Sequence, residues 1–294
     1  MSRGVATRSS ARNVVPALLP KIVTAAAFAA LFAKPVAGMV SQWWSDANAG
    51  HGLLLAPLAL FLAWRTGIHR DAKPQPILGA TLIGASVLLR FLAELAAELF
   101  TMRLSILGAA FGLAVYFFGF RQLLRWWLAS ILLVLSVPLP EVVTGTLALP
   151  LQFRASALGA GMLELRHVPV RLEGNIIRIP GHTLFVTEAC SGLRSLSALL
   201  ALGFLIGGLW LRTLPGRVFL VLAALPIAVL LNGFRIFLTG FAMHYIDPAL
   251  GNGLMHYTEG WVMFLGAFAI LALVAWVVTL GEAQMQRLRR PKAA

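Results

Sequence analysis

Long stretches without a charged residue limit what this chain can fold into more than any other feature. A helix needs about 20 mostly apolar residues to cross the bilayer core, with tolerance down to about 17, and charged residues at its ends can reach the headgroups. The stretches without Asp, Glu, Lys or Arg are residues 47–64, 74–89, 104–120, 126–140, 195–211, 218–234 and 260–281. Only 12% of all residues are charged, whereas 59% are hydrophobic, which is far from the profile of a soluble domain. The sequence therefore predicts an all-α polytopic integral membrane protein.

About eight transmembrane helices are expected in a single multi-span membrane domain that covers residues 20–280. A basic N-terminal segment, residues 1–19, and a basic tail, residues 281–294, flank this domain, and we expect both in the cytoplasm. The predicted spans are residues 20–42, 51–66, 76–94, 103–120, 125–140, 193–211, 217–239 and 258–280. The N-terminal segment lacks a compact apolar core that ends in a small-residue cleavage site, so no removed signal peptide is predicted.

The basic residues are distributed as in a membrane protein. With the N-terminus inside, 15 of the 24 Lys and Arg residues fall in cytoplasmic segments, as the positive-inside rule expects. They are Arg3, Arg8, Arg12, Lys21, Arg65, Arg70, Lys73, Arg121, Arg125, Arg212, Arg217, Arg287, Arg289, Arg290 and Lys292. The net charge of +13 therefore indicates contact with membrane lipid, and we expect no nucleic-acid partner.

Two segments interrupt the alternation of spans and basic loops. Segment 141–166 is apolar but contains Pro150 and Arg154. It could form a re-entrant or interfacial helix or a ninth span, and we favour the former because eight spans keep both basic termini inside. Residues 167–187 alternate apolar and polar side chains around a Glu-Gly-Asn turn at 173–175, which predicts a small hairpin. Because such backbone is not tolerated facing lipid, we expect the hairpin on the outer face or over a cavity.

Cys190 is the only cysteine in the chain, so it can form neither an intramolecular disulfide nor a multi-thiolate metal site. It follows the predicted outer hairpin and precedes the sixth span, which places it near the outer leaflet. Arg235 lies roughly 27 Å up the seventh span from the cytoplasmic Arg217. His256 lies near the start of the eighth span, which runs inward. Three spans therefore bring a cysteine, an arginine and a histidine to one predicted depth.

These three residue types can perform nucleophilic catalysis. A thiolate is a competent nucleophile that a neighbouring cation stabilises, a histidine exchanges protons at physiological pH, and an arginine stabilises an oxyanion at low dielectric. Each residue also has a structural interpretation. Cys190 could be a small buried hydrophobic residue, Arg235 could reach the headgroups, and His256 could be an ordinary interfacial residue. Their common depth, with Asn232 three residues before Arg235, favours catalysis.

Three blocks of sequence carry a family resemblance. They are residues 188–194 (Glu-Ala-Cys-Ser-Gly-Leu-Arg), residues 232–236 (Asn-Gly-Phe-Arg-Ile) and residues 256–261, which begin with His and end with Gly-Trp. In this order they resemble the signature blocks of the exosortase/archaeosortase family. The histidine in the third block is similar to the bacterial exosortase branch, whereas the archaeal branch has an arginine there.

Two further segments are similar to the same family. Residues 168–181 resemble the segment that precedes the family's cysteine, and residues 48–52 (Asn-Ala-Gly-His-Gly) resemble its usual Ser-His-Gly. The resemblance runs from about residue 43 to residue 280. Because the chain ends about 14 residues after its last span, we expect it to lack the additional soluble C-terminal domain that some bacterial members carry.

The resemblance implies a membrane-embedded cysteine protease and transpeptidase in the bacterial inner membrane, with its active site near the outer leaflet. Its substrates would be exported proteins with a C-terminal sorting signal: a PEP-CTERM-like motif such as Pro-Glu-Pro, a transmembrane helix and a basic tail. The enzyme would cleave near the motif and, through a thioester, pass the protein to an outer-face acceptor of unknown identity. No cofactor and no metal are expected.

By matching positions, the resemblance also implies the catalytic residues: Cys190 as the nucleophile, Arg235 as the second member and His256 as the third. The candidates for substrate binding or support are Arg194, Asn232, Ser191 and His51. Arg194 lies four residues after Cys190 and hence on the same helical face. It could tune the thiol, hold substrate or form a structural ion pair.

Functions from other classes remain alternatives. A polytopic transporter or channel could line a path with Arg235, Arg90, Glu94 and Glu98, but such proteins tend to show two related halves, and the sequence has no internal repeat. A polysaccharide-export component without proteolytic chemistry would leave Cys190 without a role. The repetition of Arg90, Glu94 and Glu98 at every fourth position is most simply an internally paired stripe.

Overall fold

The computed structural model describes residues 14–46, 48–186, 193–247 and 254–289. The described residues form ten α-helices and one small β-sheet, which confirms the predicted helical membrane fold. The helices are α1 (Val14–Ser45), α2 (Gly52–Thr66), α3 (Pro76–Leu95), α4 (Leu99–Phe118), α5 (Phe120–Arg125), α6 (Trp127–Ser136), α7 (Glu141–Glu164), α8 (Leu193–Trp210), α9 (Leu214–Tyr245) and α10 (Leu254–Arg289). The strands are β1 (Arg171–Glu173), β2 (Ile176–Ile179) and β3 (His182–Phe185).

Seven of the eight predicted spans coincide with an apolar helix, and the eighth, residues 125–140, contains a shorter one. Among the residues that the structure describes, five helical segments are long and apolar enough to cross a membrane: Val23–Ser45, Pro76–Leu95, Leu99–Phe118, Leu214–Tyr245 and Val262–Gln286. The shorter apolar helices are Gly52–Thr66, Trp127–Ser136 and Ser195–Trp210. The chain is therefore a multi-pass membrane protein in which five of the eight predicted spans have full spanning length.

The predicted span at residues 125–140 differs most from the observed helix. α5 ends at Arg125, the chain turns at Trp126, and α6 then holds only ten residues before the backbone becomes extended at Val137. The carbonyl of Ser136, the last residue of α6, accepts a hydrogen bond of 2.8 Å from the indole Nε1 of Trp43. This bond satisfies one of the carbonyls that a helix leaves unpaired at its end.

Segment 141–164 forms one continuous helix, α7, that passes through Pro150. α7 packs along α9, with Leu158 against Gly233 and Leu163 against Gly240. Because the residue numbers rise together along this contact, the two helices run in the same direction. The additional helix expected in this segment is therefore present, and it lies beside a helix of spanning length.

The segment after α7 folds as a three-stranded antiparallel sheet in the order β1-β2-β3. The first turn, at Gly174 with φ +64°, is the one that the sequence predicts. A second turn at Gly181, with φ +77°, adds β3, which the hairpin prediction missed. Ile177 and Ile179 of β2 are buried in a cluster with residues of α7 and α9, so the sheet covers the paired ends of these two helices.

The helices α8, α9 and α10 share an apolar cluster. Its buried members include Leu199 and Ile206 of α8, with more from α9 and α10. At one end of this bundle the carboxylate of Glu282 on α10 accepts hydrogen bonds from the backbone N–H groups of Arg212 and Thr213, at 3.0 and 3.1 Å. These bonds fix the α8–α9 turn to α10 and set how the three helices align toward their other end.

Candidate functional site

The helices α8, α9 and α10 carry most of the predicted site residues, and their alignment can be read from close contacts. A Cβ on Gly203 of α8 would lie 3.4 Å from Cα of Val221 on α9, and one on Gly207 would lie 3.6 Å from Cα of Arg217. The two helices therefore approach closely and run antiparallel. α10 belongs to the same buried cluster as α9, and its direction follows from a contact near its end: a Cβ on Gly216, near the start of α9, would lie 3.1 Å from Cγ1 of Val278. Since the beginning of α9 thus meets the later part of α10, the two helices run antiparallel.

This alignment brings the beginnings of α8 and α10 to the level of Arg235. If the register of the Gly203–Val221 contact continues along the two helices, Leu193, the first described residue of α8, lies about level with Leu231 of α9. Counted from the contact of Gly216 with Val278, His256 of α10 falls about one helical turn from the level of Arg235. The described starts of α8 and α10 therefore lie near the height of Arg235, and the common depth of the three predicted catalytic residues stays a prediction because Cys190 lies outside the described residues.

Arg235 and Asn232 lie on α9 where α7 packs against it. Asn232 is 6% exposed and Arg235 is half-buried, and the backbone carbonyl of Arg235 accepts a hydrogen bond of 3.0 Å from the Thr239 hydroxyl. Between them, Gly233 leaves no room for a side chain, because a Cβ there would come within 2.7 Å of Cβ of Leu158. An arginine with this degree of burial in a spanning helix is costly unless it is paired or functional.

The sheet connects this part of α9 to the segment that contains the cysteine. Val186, which follows β3, is 1% exposed and belongs to the same buried cluster as Ile236, the neighbour of Arg235. Asn175 forms two hydrogen bonds with the backbone of Val186. The side-chain amide of Asn175 donates to the Val186 carbonyl (3.0 Å), and the backbone carbonyl of Asn175 accepts from the Val186 N–H (2.9 Å). The chain is thus anchored beside Arg235 four residues before Cys190.

Two predicted residues, Cys190 and Ser191, lie outside the described residues. Arg194 is the second residue of α8, at the end of that helix which lies near the level of Arg235. The structure thus brings together the beginning of α8, the polar positions of α9 and the beginning of α10.

His51, in contrast, lies at a junction of α1, α2 and α6. Its Nε2 is 3.2 Å from the carbonyl oxygen of Leu135 on α6, and since a carbonyl only accepts, Nε2 is the protonated nitrogen. The next residue, Gly52, packs directly against the Trp43 ring. These contacts are structural, and a role of His51 in substrate support stays a prediction.

Sequence reasoning missed a polar pair on α7, Gln152 and Ser156. They are 4% and 0% exposed, and the Ser156 hydroxyl has no hydrogen-bond partner among the described residues. Ser156 follows Ala155, whose carbonyl lies against Gly233. The i,i+4 spacing of the two residues on an apolar helix was the signal that could have identified them.

Of Arg90, Glu94 and Glu98, which the sequence predicts to pair with one another, only the first two form an ion pair. Arg90 and Glu94 form an i,i+4 ion pair at 3.5 Å. Glu98 instead lies between α3 and α4 and caps α4, where it accepts from the backbone N–H groups of Phe100 (2.9 Å) and Thr101 (2.6 Å). Hydrogen bonds from Thr101, first of all from its side chain, hold the pKa of the Glu98 carboxyl below its usual value. Within the described part of the chain, no group of three His, Cys, Asp or Glu residues is placed to hold a metal ion.

Comparison with known proteins gives one match. A family model described as transmembrane exosortase matches residues 43–273, which is more than three quarters of the chain. No curated protein and no solved structure matches the chain significantly.

Proposed function

Because the chain belongs to the transmembrane exosortase family, we propose that it is a membrane-embedded cysteine transpeptidase that processes exported proteins. Membership of the family supports a membrane transpeptidase or protein-sorting role in general. The cysteine chemistry, the catalytic residues and the substrate signal are the specific content of the proposal.

The alignment of α8, α9 and α10 is the observation that carries this proposal. It brings the beginning of α8, Arg235 of α9 and the beginning of α10 to about one level, although the three are far apart in sequence. The anchoring of Val186 beside Ile236 adds support, because the cysteine block starts two residues after Val186. A transporter would not need this convergence at one end of a bundle.

In the proposed reaction, Cys190 attacks the scissile carbonyl as a thiolate, and Arg235 stabilises the negative oxygen of the tetrahedral intermediate. His256 accepts the thiol proton and returns it to the leaving amine as the C–N bond breaks, which leaves a thioester on Cys190. A nucleophilic group of the acceptor then attacks the thioester and gives its proton to His256, the C–S bond breaks, and the thiolate of Cys190 is regenerated beside protonated His256. Arg194, Ser191 and Asn232 would orient the substrate or support the site.

The proposed substrate is an exported protein with a PEP-CTERM-like signal. Its transmembrane helix would lie beside the enzyme in the bilayer, and its basic tail would remain on the cytoplasmic side. Cleavage near the motif at the outer leaflet would release the helix and tail and pass the protein to an outer-face acceptor. The acceptor is defined only by its nucleophilic group.

Replacement of the nucleophile tests the chemistry. The variant Cys190→Ala should abolish processing of a tagged substrate with the motif, helix and basic tail, because the chain has no other cysteine. The loss should amount to several orders of magnitude in rate. Processing is measured by the mobility shift of the substrate after co-expression in intact cells.

Two controls separate lost chemistry from lost folding. The variant should insert in the membrane and unfold in detergent at the temperature of the wild type. A thiol-reactive probe should label the wild type once and the variant not at all, since Cys190 is the only thiol. Full processing by a correctly inserted Cys190→Ala variant would leave Cys190 with a packing role only and would exclude the cysteine mechanism.

A further inference from the structure

The connection between α2 and α3 meets α5 around a small cavity of about 100 Å³. The residues that line it are Asp71, Ala72, Arg121, Gln122 and Arg125. Gln122, only 1% exposed, links α5 to the α2–α3 connection by two hydrogen bonds. Its Nε2 donates to the carbonyl of Gly67 (2.9 Å), and its Oε1 accepts from the N–H of His69 (3.1 Å). The cavity is therefore built by buried hydrogen bonds that connect the two segments.

The charges around this cavity are strongly unbalanced. Residues 65–75 and 119–126 hold five Lys and Arg residues and one acidic residue, Asp71. Asp71 is already engaged, with Nδ1 of His69 at 3.2 Å and the Arg125 guanidinium at 3.8 Å. Arg121 is exposed and forms no ion pair with any residue that the structure describes. The lining of the cavity thus holds two guanidinium groups and one carboxylate, which leaves an excess of one positive charge.

An apolar groove of about 440 Å³ begins three residues farther along the chain. The residues that line it are Gln75, Pro76, Ile77, Leu78 and Thr81, on the first two turns of α3. Gln75 connects the groove to the basic cavity, because its Oε1 accepts a hydrogen bond of 3.0 Å from the backbone N–H of Phe120, the residue before Arg121. Since α3 is a helix of spanning length that starts at Pro76, the groove runs into the membrane from the edge where the cavity lies.

We propose that this site binds one anionic phospholipid, with its phosphate in the basic cavity and one acyl chain in the groove of α3. A cavity of about 100 Å³ is far smaller than the roughly 300–1,000 Å³ of a pocket for a drug-sized ligand, so it suits a single small group such as a phosphate. Guanidinium groups bind phosphate oxygens through paired hydrogen bonds, and basic residues beside a span attract anionic lipid. The adjacent apolar groove favours a lipid over a free phosphate ion.

Lipid binding to the detergent-solubilised full chain, counted by native mass spectrometry, tests the site. We expect one tightly held dioleoylphosphatidylglycerol per chain and no comparable binding of dioleoylphosphatidylcholine, which has the same acyl chains without net charge. Inorganic phosphate in millimolar excess should not displace the lipid. The double variant Arg121→Gln and Arg125→Gln should bind phosphatidylglycerol roughly thirtyfold more weakly, at the usual contribution of a basic residue near an anionic headgroup.

Two further variants distinguish the site from general charge effects. Ala72→Leu keeps both arginines but fills the cavity, and it should weaken phosphatidylglycerol binding selectively. Arg171→Gln with Arg178→Gln removes the same charge from the exposed strands of the sheet, and it should bind phosphatidylglycerol like the wild type. Equal binding of the two lipids would overturn the proposal, as would wild-type affinity in the double variant at Arg121 and Arg125. Displacement by inorganic phosphate would show a site for free anions and overturn it as well.

Discussion

At the scale of single residues, the proposed chemistry makes different demands on an arginine and on a histidine. If Arg235 stabilises an oxyanion with its planar, multidentate guanidinium, a lysine cannot replace it. The variant Arg235→Lys should therefore lose nearly as much activity as Arg235→Ala, by about 100-fold to 1,000-fold if it removes one oxyanion donor. Raising the pH should not restore activity, because an arginine stays charged across the working range. A detergent assay with a fluorogenic substrate that carries the motif measures both variants.

Arg217 on the same helix provides a matched control. Its Nε donates to the carbonyl of Leu211 (3.0 Å), and its guanidinium lies 5.0 Å from the centre of the Trp127 ring, at the opposite end of α9. The variant Arg217→Lys removes a guanidinium from α9 without touching the proposed site, so it should keep most of its activity. Near-wild-type rates for Arg235→Lys would assign Arg235 to packing or substrate binding.

The proposed role of His256 predicts a specific pH dependence of activity. A histidine that transfers the thiol proton gives an activity that follows a titration near neutrality, where imidazole exchanges protons. The variant His256→Ala should lose most activity, and its residual rate should rise at high pH as the thiol of Cys190 ionises without assistance. The measurement is the pH profile of kcat/KM for wild type and variant in the same assay. A loss that is independent of pH would contradict the role of His256 as the proton carrier.

At the scale of secondary-structure elements, the contact between α7 and α9 determines where Arg235 lies relative to the sheet. In the variant Gly233→Ala the new Cβ would meet Cβ of Leu158 at 2.7 Å, so α7 must move away from α9. We expect a loss of about 1–3 kcal/mol in stability, as for other overpacked sites, and a fall in activity as the sheet moves with α7. Thermal unfolding in detergent and the fluorogenic assay measure the two effects.

Gly84 on α3 is the control for this substitution. It also lies within a helix of spanning length, but no atom lies within 4 Å of the position that its Cβ would take. Gly84→Ala should leave stability unchanged or raise it by up to about 1 kcal/mol, because alanine is the better helix former. If Gly233→Ala behaved like Gly84→Ala, the close approach of α7 and α9 would not be important for the site.

Much of the element pattern followed from the sequence, because charged residues and prolines mark helix ends. The span predicted at 76–94 is observed as Pro76–Leu95, and the span predicted at 193–211 ends at Trp210, one residue from the end expected. The short α6 was not predicted, although Pro138 favours the extended backbone at Val137 that ends it. The hydrogen bond from Trp43 to the last carbonyl of α6 could not be read from the sequence. The strand β3 was missed because alternation alone does not show that the chain turns again at Gly181.

The candidate site was predictable in depth but not in lateral arrangement. Hydropathy gives the height of Arg235 on its helix, whereas the neighbours of α9 depend on packing that no local pattern contains. The parallel contact with α7 is the example, because it requires the small residues Gly159 and Gly233. The sequence shows these glycines but not which helix each of them packs against. Gln152 and Ser156, in contrast, were missed although their i,i+4 spacing on an apolar helix could have identified them.

At the scale of the whole molecule, contacts at the two ends of the bundle define a topology that can be tested. The loop after α2 meets the turn before α6, because the indole of Trp126 donates to the carbonyl of Gly67 (3.2 Å). α9 meets the first residue of α6, because the Arg217 guanidinium lies over the Trp127 ring. The loop after α2 and the beginning of α9 therefore lie at the same end. The sheet packs on Ile236, nineteen residues or roughly 28 Å farther along α9, and hence at the other end.

The positive-inside rule assigns the first of these ends to the cytoplasm and the sheet to the outer face. In a Cys190→Ser background, single cysteines at Ile68, Leu214 and Thr183 should therefore react differently with a membrane-impermeant thiol reagent. All three positions are exposed, so their access depends only on the side of the membrane. Thr183→Cys should label in intact cells, whereas Ile68→Cys and Leu214→Cys should label only after permeabilisation. Because the contacts of Trp126 and Trp127 tie positions 68 and 214 to one end, labelling of either from outside would invert the whole topology and remove the proposed site from the outer leaflet.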